Sequence, residues 1–326
     1  MCHNPEMTRS IRFLAVLCIV LVEGLLPRSI RAEQGLDVEY AEHKPLATES
    51  MLLDITRAGD TLIAVGERGH IVTSKNGEVW TQAEVVPTRS TLTSVFSVGS
   101  RVWAAGHDAA ILTSGDGGQT WTQQFYDPDR QQAVMDIYFT DENNGVAIGS
   151  YGLYLRTNDG GHSWVEDKVD EDIDYHLNKL LDFGDGKLMI AGEAGYSYRS
   201  YDDGETWEII EMPYQGSMWG ALKTHDECVL FYGLRGHAME SCDFGTSWTE
   251  FDTGSESSIS GSAEHEGLVL LVANSGTVLS RDDRGQFSVY HHSSGVDFAA
   301  AISLGDGNFL LVGEDGVHRY PENGDD

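Results

Sequence analysis

Four aspartates, Asp116, Asp159, Asp202 and Asp243, return at intervals of 43, 43 and 41 residues, each five residues ahead of a tryptophan: Trp121, Trp164, Trp207 and Trp248. Carboxylates make general acids, nucleophiles and metal ligands, so these spacings are weighed first. A catalytic pair needs two acids in different surroundings, whereas these four share one setting, Ser/Thr-x-Asp-x-Gly-x-Ser/Thr-Trp. In that setting a short acid accepts hydrogen bonds from the backbone of its own turn, and glycine supplies the unusual dihedrals. The four acids are therefore read as closing turns rather than breaking bonds.

Other acids and bases offer less. The run Asp170-Glu171-Asp172-Ile173-Asp174 has the look of a calcium loop, but Tyr175 stands where glycine is needed and Leu181 where glutamate is needed. It reads as a solvated acidic loop. There is no CxxC, HExxH, phosphate loop or G-x-S-x-G, and the histidines lack ligand spacing. No metal, cofactor or catalytic residue is expected. Arginine is scarce, which makes Arg68, Arg89, Arg130 and Arg235 candidates for a focused contact with an anion or carboxylate of a partner. His70, His107, His237, His291, Tyr126, Tyr214 and Trp219 lie near them in sequence.

The elements that carry these residues follow from a repeat. Small residues ending apolar runs, Gly66, Gly106, Gly149, Gly192, Gly233, Ala273 and Gly313, recur every 40 to 43 residues and define seven units. Within a unit the runs are short and β-branched, as in Thr61–Val65, and so read as strands. Three residues after each small position comes Gly69, Ala109, Gly152, Gly195, Gly236, Gly276 or Gly316, where a tight hairpin between the second and third strands needs a left-handed residue. The aspartate motif is then the turn between the third and fourth strands. Seven such units predict an all-β fold, a seven-bladed β-propeller of four-stranded antiparallel blades.

The last unit runs out after its third strand. Sliding the chain by 40 residues lays Tyr40 on Trp80, which predicts that residues 36–44 form the outer strand of the seventh blade and lock the ring. In the fifth unit, pairing Gly233 with His237 across the hairpin loop sets Cys228 opposite Cys242, where they either bridge or remain two buried thiols. In such a blade the second-to-third hairpins and the connections between blades share one face, opposite the aspartate turns. Those longer, more varied loops are the expected binding side.

Residues 1–32 read as a secretory signal: Arg9 and Arg12 precede an apolar run from Phe13 to Leu26, with Ile30-Arg31-Ala32 at a cleavage point. An uncleaved anchor is the alternative, and a lipoprotein reading at Cys18 is disfavoured by Leu17. Residues 33–326 are expected to form one propeller domain, exported to the periplasm, or to the thylakoid lumen in a phototroph, with no membrane insertion after cleavage. The formal charge of −31 repels phosphate and argues against nucleic acid or anionic lipid as partner.

The aspartate motif is the Asp-box of sialidases, other secreted hydrolases and many non-enzymatic propellers. With turns such as TSGDGGQTW and RTNDGGHSW, and the unit from Asp136 to Trp164, the chain resembles the photosystem II stability and assembly factor family and its bacterial relatives. That resemblance implies a non-enzymatic propeller that binds a protein partner, either a membrane-protein assembly intermediate or, outside photosynthesis, an envelope transporter. The competing class is a sialidase-like glycoside hydrolase or a carbohydrate-binding propeller. For the hydrolase, the Phe-Arg-Ile-Pro signature is missing and no arginine cluster with a Tyr/Glu pair can be assembled.

Overall fold

The computed structural model describes residues 29–30, 38–224, 228–282 and 284–322. The seven units fold into seven antiparallel sheets in chain order. Blade 1 comprises Leu52–Ala58, Thr61–Gly66, Ile71–Ser74 and Thr81–Gln82. Blades 2 to 6 repeat this meander, with innermost strands Leu92–Val98, Val134–Phe139, Leu177–Gly184, Met218–Lys223 and Ile259–His265.

Each innermost strand carries a bulge near its start. The register jumps past Leu53, Thr93, Met135, Asn178, Trp219, Ser260 and Ala299, one in every blade. A bulge bends its strand and re-aims the extra side chain. Three of these side chains staple a blade to the next: Thr93 donates to the Val134 carbonyl, Asn178 to Met218 and Ser260 to Phe298.

Blades are held together by the apolar faces of their sheets. Every consecutive pair shares one buried cluster, such as Trp103, Phe139, Leu155 and Trp164 between blades 2 and 3. The last cluster joins Leu310 and Val312 of blade 7 to Leu52, Leu62 and Val72 of blade 1. Side-chain burial is what closes the ring, and it leaves no blade with a bare sheet face.

The expected N-terminal closing strand is not formed by residues 38–44, and blade 7 has three strands among the described residues. Residues 36–37 of that expected strand lie outside the described residues. The physical reason lies with blade 1: the Ala41 N–H donates to Val86, the Gln82 side chain to the Glu42 carbonyl, and the His43 ring bonds the Glu84 carbonyl. Val38 and Tyr40, whose alternation suggested a strand, are about half exposed. Contact with blade 7 is made further on, where the 3₁₀ turn Ala47–Glu49 sets the Thr48 carbonyl against Gly316 so closely that a Cβ there would lie 2.1 Å from it.

Apart from Ser29–Ile30, the expected signal lies outside the described residues; those two pair antiparallel with Trp164 and Val165 on the edge of blade 3. Among the described residues no helix is long and apolar enough to cross a membrane.

Candidate functional site at the channel mouth

The Asp-box turns share one hydrogen-bond pattern. In blade 2, Ser114 Oγ accepts the Gly118 N–H at 3.0 Å and donates to Asp116 Oδ1 at 2.7 Å. Asp116 also accepts the Thr120 N–H and hydroxyl, and the Trp121 indole donates back to Gly118. Asp159, Asp202 and Asp243 repeat the carboxylate bonds with Ser163, Thr206 and Ser247, while the indole bond is made by Trp121 and not by Trp164, Trp207 or Trp248. Donation from Ser247 and Ser241 holds the Asp243 carboxyl down to about 2. Trp121 and Trp164 are buried, whereas Trp207 and Trp248 are partly covered. A carboxylate committed to four donors of its own turn has little capacity left for substrate.

On the opposite face the hairpins are type I′ turns with two successive left-handed residues, such as Arg68-Gly69 (φ 56° and 70°) and Arg235-Gly236 (56° and 74°). Sequence reasoning anticipated the second of each pair. The first is a non-glycine residue in every blade, which sets Arg68, Asp108, Tyr151 and Arg235 at the hairpin tips. The interblade connection folds over each hairpin, so that a Cβ on Gly236 would lie 1.9 Å from the Ser255 carbonyl oxygen.

Of the four arginines, Arg68 and Arg89 both lie near Glu42, while Arg130 and Arg235 stand on other parts of the ring. Arg68 is exposed on the blade 1 hairpin beside Glu67 at 3.8 Å, and Arg89 pairs with Glu42 at 3.0 Å. Arg130 is largely covered, gripped by both carboxylate oxygens of Glu166 and by Asp127. Arg235 sits on the blade 5 hairpin, its N–H donating to Ser258. Cys228 and Cys242 form a disulfide across blade 5, next to the pairs Val229–Ser241 and Leu230–Glu240.

What sequence reasoning missed lies around the axis. The residue after each bulge faces the central channel, giving the ring Asp54, Ser94, Asp136, Lys179, Gly220, Gly261 and Ala300. Lys179 Nζ lies 2.8 Å from Asp136 Oδ1, Ser94 donates to the same oxygen, and the Leu180 N–H donates to Oδ2. Asp54 accepts the Ile55 and Val95 N–H groups. Burial pushes the Asp54 carboxyl up to about 6, against the pull of Lys179 from across the axis. For Lys179, burial works against the charge, yet Asp136 and Asp54 outweigh it and hold the ammonium well above its ordinary range. The opposite arc has no charge: the Tyr232 ring occupies the space a Gly220 side chain would need, and its hydroxyl bonds Ser262.

One step outward, on the hairpin face, is a pocket of about 270 Å3 lined by Thr93, Met135, His176, Asn178, Glu193, Ser217 and Trp219. Four of these are bulge or pre-bulge residues of the innermost strands of blades 2 to 5. Trp219 keeps 40% of its surface exposed. Blades 3 to 5 also carry exposed Tyr151, edge-on to His176 of the pocket; exposed Tyr175, packed on Tyr196; and partly buried Tyr214, stacked on His237 at 3.7 Å. None of the four candidate arginines lines the pocket, although Trp219 from the same expected face does. The signal that would have revealed this site was the repeat itself, since Asp54, Ser94, Asp136 and Lys179 share a phase where other blades have Gly or Ala.

A larger cleft of about 1680 Å3 opens between blades 3 and 4, but its cations are taken: Arg156 by Glu205 and Asp167, and Arg130 as above. Among the described residues no cluster of His, Cys, Asp and Glu could hold a metal ion, and the acids of the 170–174 loop cap its own turn, Asp170 accepting the Asp172 and Ile173 N–H groups.

Fold and turns define a seven-bladed propeller of the Asp-box type with a polar, aromatic-rimmed channel mouth. Within it, residues 124–215 match the family model described as photosynthesis system II assembly factor YCF48, the family that the repeat units resemble. Among solved structures, YCF48 bound to D1 peptide is 18% identical, covers 89% of this chain and 96% of its own, with a TM-score of 0.68. YCF48 from Cyanidioschyzon merolae is 16% identical over 86% and 96%, at 0.67. Virginiamycin B lyase from Staphylococcus aureus is 14% identical over 71% and 84%, at 0.59. At these identities the structures establish a shared fold. No curated protein matches the sequence.

Proposed function

We propose that this protein is an exported, non-enzymatic scaffold that binds a segment of a partner protein on the hairpin face of blades 3 to 5, at the channel mouth. The observation that carries the reading is Trp219, 40% exposed in the wall of a small polar pocket, with the exposed Tyr151 edge-on to His176 of the same wall. Such rings give large contact area for little conformational entropy and are the usual anchors of protein recognition. The match to the YCF48 family model and the likeness to a propeller solved with a bound D1 peptide support a partner drawn from a membrane-protein complex. Its placement in the periplasm, or in a thylakoid lumen, rests on the Arg9 to Ala32 signal pattern.

The hydrolase alternative is weaker on this geometry, because the pocket lining contains no arginine to hold a sugar carboxylate and no tyrosine to act as nucleophile. Partner capture from the native envelope with Trp219→Ala and Tyr151→Ala tests the reading. Capture lost in these variants and kept in Asp203→Ala, on the Asp-box face, is expected; capture lost in Asp203→Ala alone would overturn it.

A further inference from the structure

Resting on that reading, we propose that the channel-mouth pocket is the receptor for one basic side chain, an arginine carried by an extended segment of the partner. Size comes first. At about 270 Å3 the pocket falls below the ~300–1,000 Å3 of small-molecule sites and suits a single long side chain.

The unused polar atoms of the wall decide the chemistry. Asn178 spends one of its two amide hydrogens on the Met218 carbonyl, which leaves its amide oxygen and one N–H. Thr93 gives its hydroxyl hydrogen to Val134. Among the described residues, Glu193 accepts one hydrogen bond, from the His176 N–H at 3.0 Å, with the His176 ring 3.7 Å away. A carboxylate with spare lone pairs and an amide oxygen complement a group that donates and does not accept, which describes guanidinium.

Electrostatics and the indole favour the same guest. No lysine or arginine lines the pocket, and the channel ring one residue deeper holds two carboxylates, Asp54 and Asp136, against one ammonium, Lys179. A chain with a formal charge of −31 draws cations toward such a mouth. The exposed face of Trp219 can stack a guanidinium, which ammonium does less well.

The test is a calorimetric titration of the full protein with a capped Gly-Ser-Gly-Arg-Gly-Ser-Gly peptide, beside versions in which citrulline or glutamate replaces the arginine. Citrulline keeps the shape and removes the charge. Binding of the arginine peptide about tenfold tighter than the citrulline peptide, weakened about tenfold by Glu193→Gln and by Trp219→Ala with an unchanged circular dichroism spectrum, is expected. Equal affinity for the citrulline peptide, preference for glutamate, no effect of Glu193→Gln, or no heat up to millimolar peptide would each overturn it. Partner capture that survives Glu193→Gln but not Trp219→Ala would remove the arginine receptor and leave the partner-binding face standing.

Discussion

Two kinds of aspartate in this chain respond to acid in opposite ways. The Asp-box acids are held below their ordinary range by donors in their own turns, Asp243 down to about 2 by Ser247 and Ser241. Their stabilisation is complete above the unfolded carboxylate range and is lost as pH falls toward 2. Asp54 is the reverse case: with a folded pKa raised to about 6, its contribution is complete below about pH 4 and fades as pH rises through 6. Thermal melts from pH 2 to 8 should therefore show Asp54→Asn removing a decline in stability between pH 4 and 6, and Asp243→Asn making the protein less sensitive to pH between 4 and 2. A parallel pH profile for wild type and Asp54→Asn would contradict the channel assignment. The Asp-box role was legible because four copies shared one setting, whereas Asp54 and Lys179 were not, since one acid and one base 125 residues apart in sequence meet only once a ring places blades 1 and 4 across an axis.

Strands and turns were the most legible level. Period-two runs and small-residue stops located all seven hairpins, and even the cross-strand partner of Cys228 could be computed from the register. The bulges were not foreseen, because a bulge leaves no mark in apolar periodicity beyond one unpaired residue; yet they aim Asn178 and Trp219 at the pocket. At this scale Trp164→Ala, at a fully buried site on the outer strand of blade 3, should cost about 3–5 kcal/mol in a denaturant titration. Gly236→Ala should cost about 2–4 kcal/mol, since a left-handed alanine there would also drive its Cβ into the Ser255 carbonyl. Replacing both Cys228 and Cys242 with serine removes a bridge over 14 residues and should lower stability by up to ~3 kcal/mol under oxidising conditions.

For the whole molecule, the question is how an open chain becomes a ring. The expectation of a swapped outer strand failed for residues 38–44 because donors and acceptors there are taken by the exit of blade 1, a competition that a 40-residue slide along the sequence cannot see. Closure instead rests on the apolar seam of blades 7 and 1, on Thr48 over Gly316, and on Glu322, which accepts bonds from Tyr290 and Ser293 to tie the end of blade 7 to blade 6. Leu310→Ala, at the centre of that seam, should destabilise by about 2–5 kcal/mol and broaden the unfolding transition if blades 7 and 1 part first. The seven-fold arrangement also leaves the pocket with four blades contributing side chains, so that no single repeat could have displayed the site.

The central claim, that partners bind at the channel mouth of blades 3 to 5, is tested most directly by photo-crosslinking. A photoreactive amino acid is placed in turn at Tyr151, Trp219 and Asp203, and the protein is irradiated in its native envelope. Adducts to a common partner from positions 151 and 219 and none from 203 are predicted; adducts from 203 with none from the other two would contradict the account.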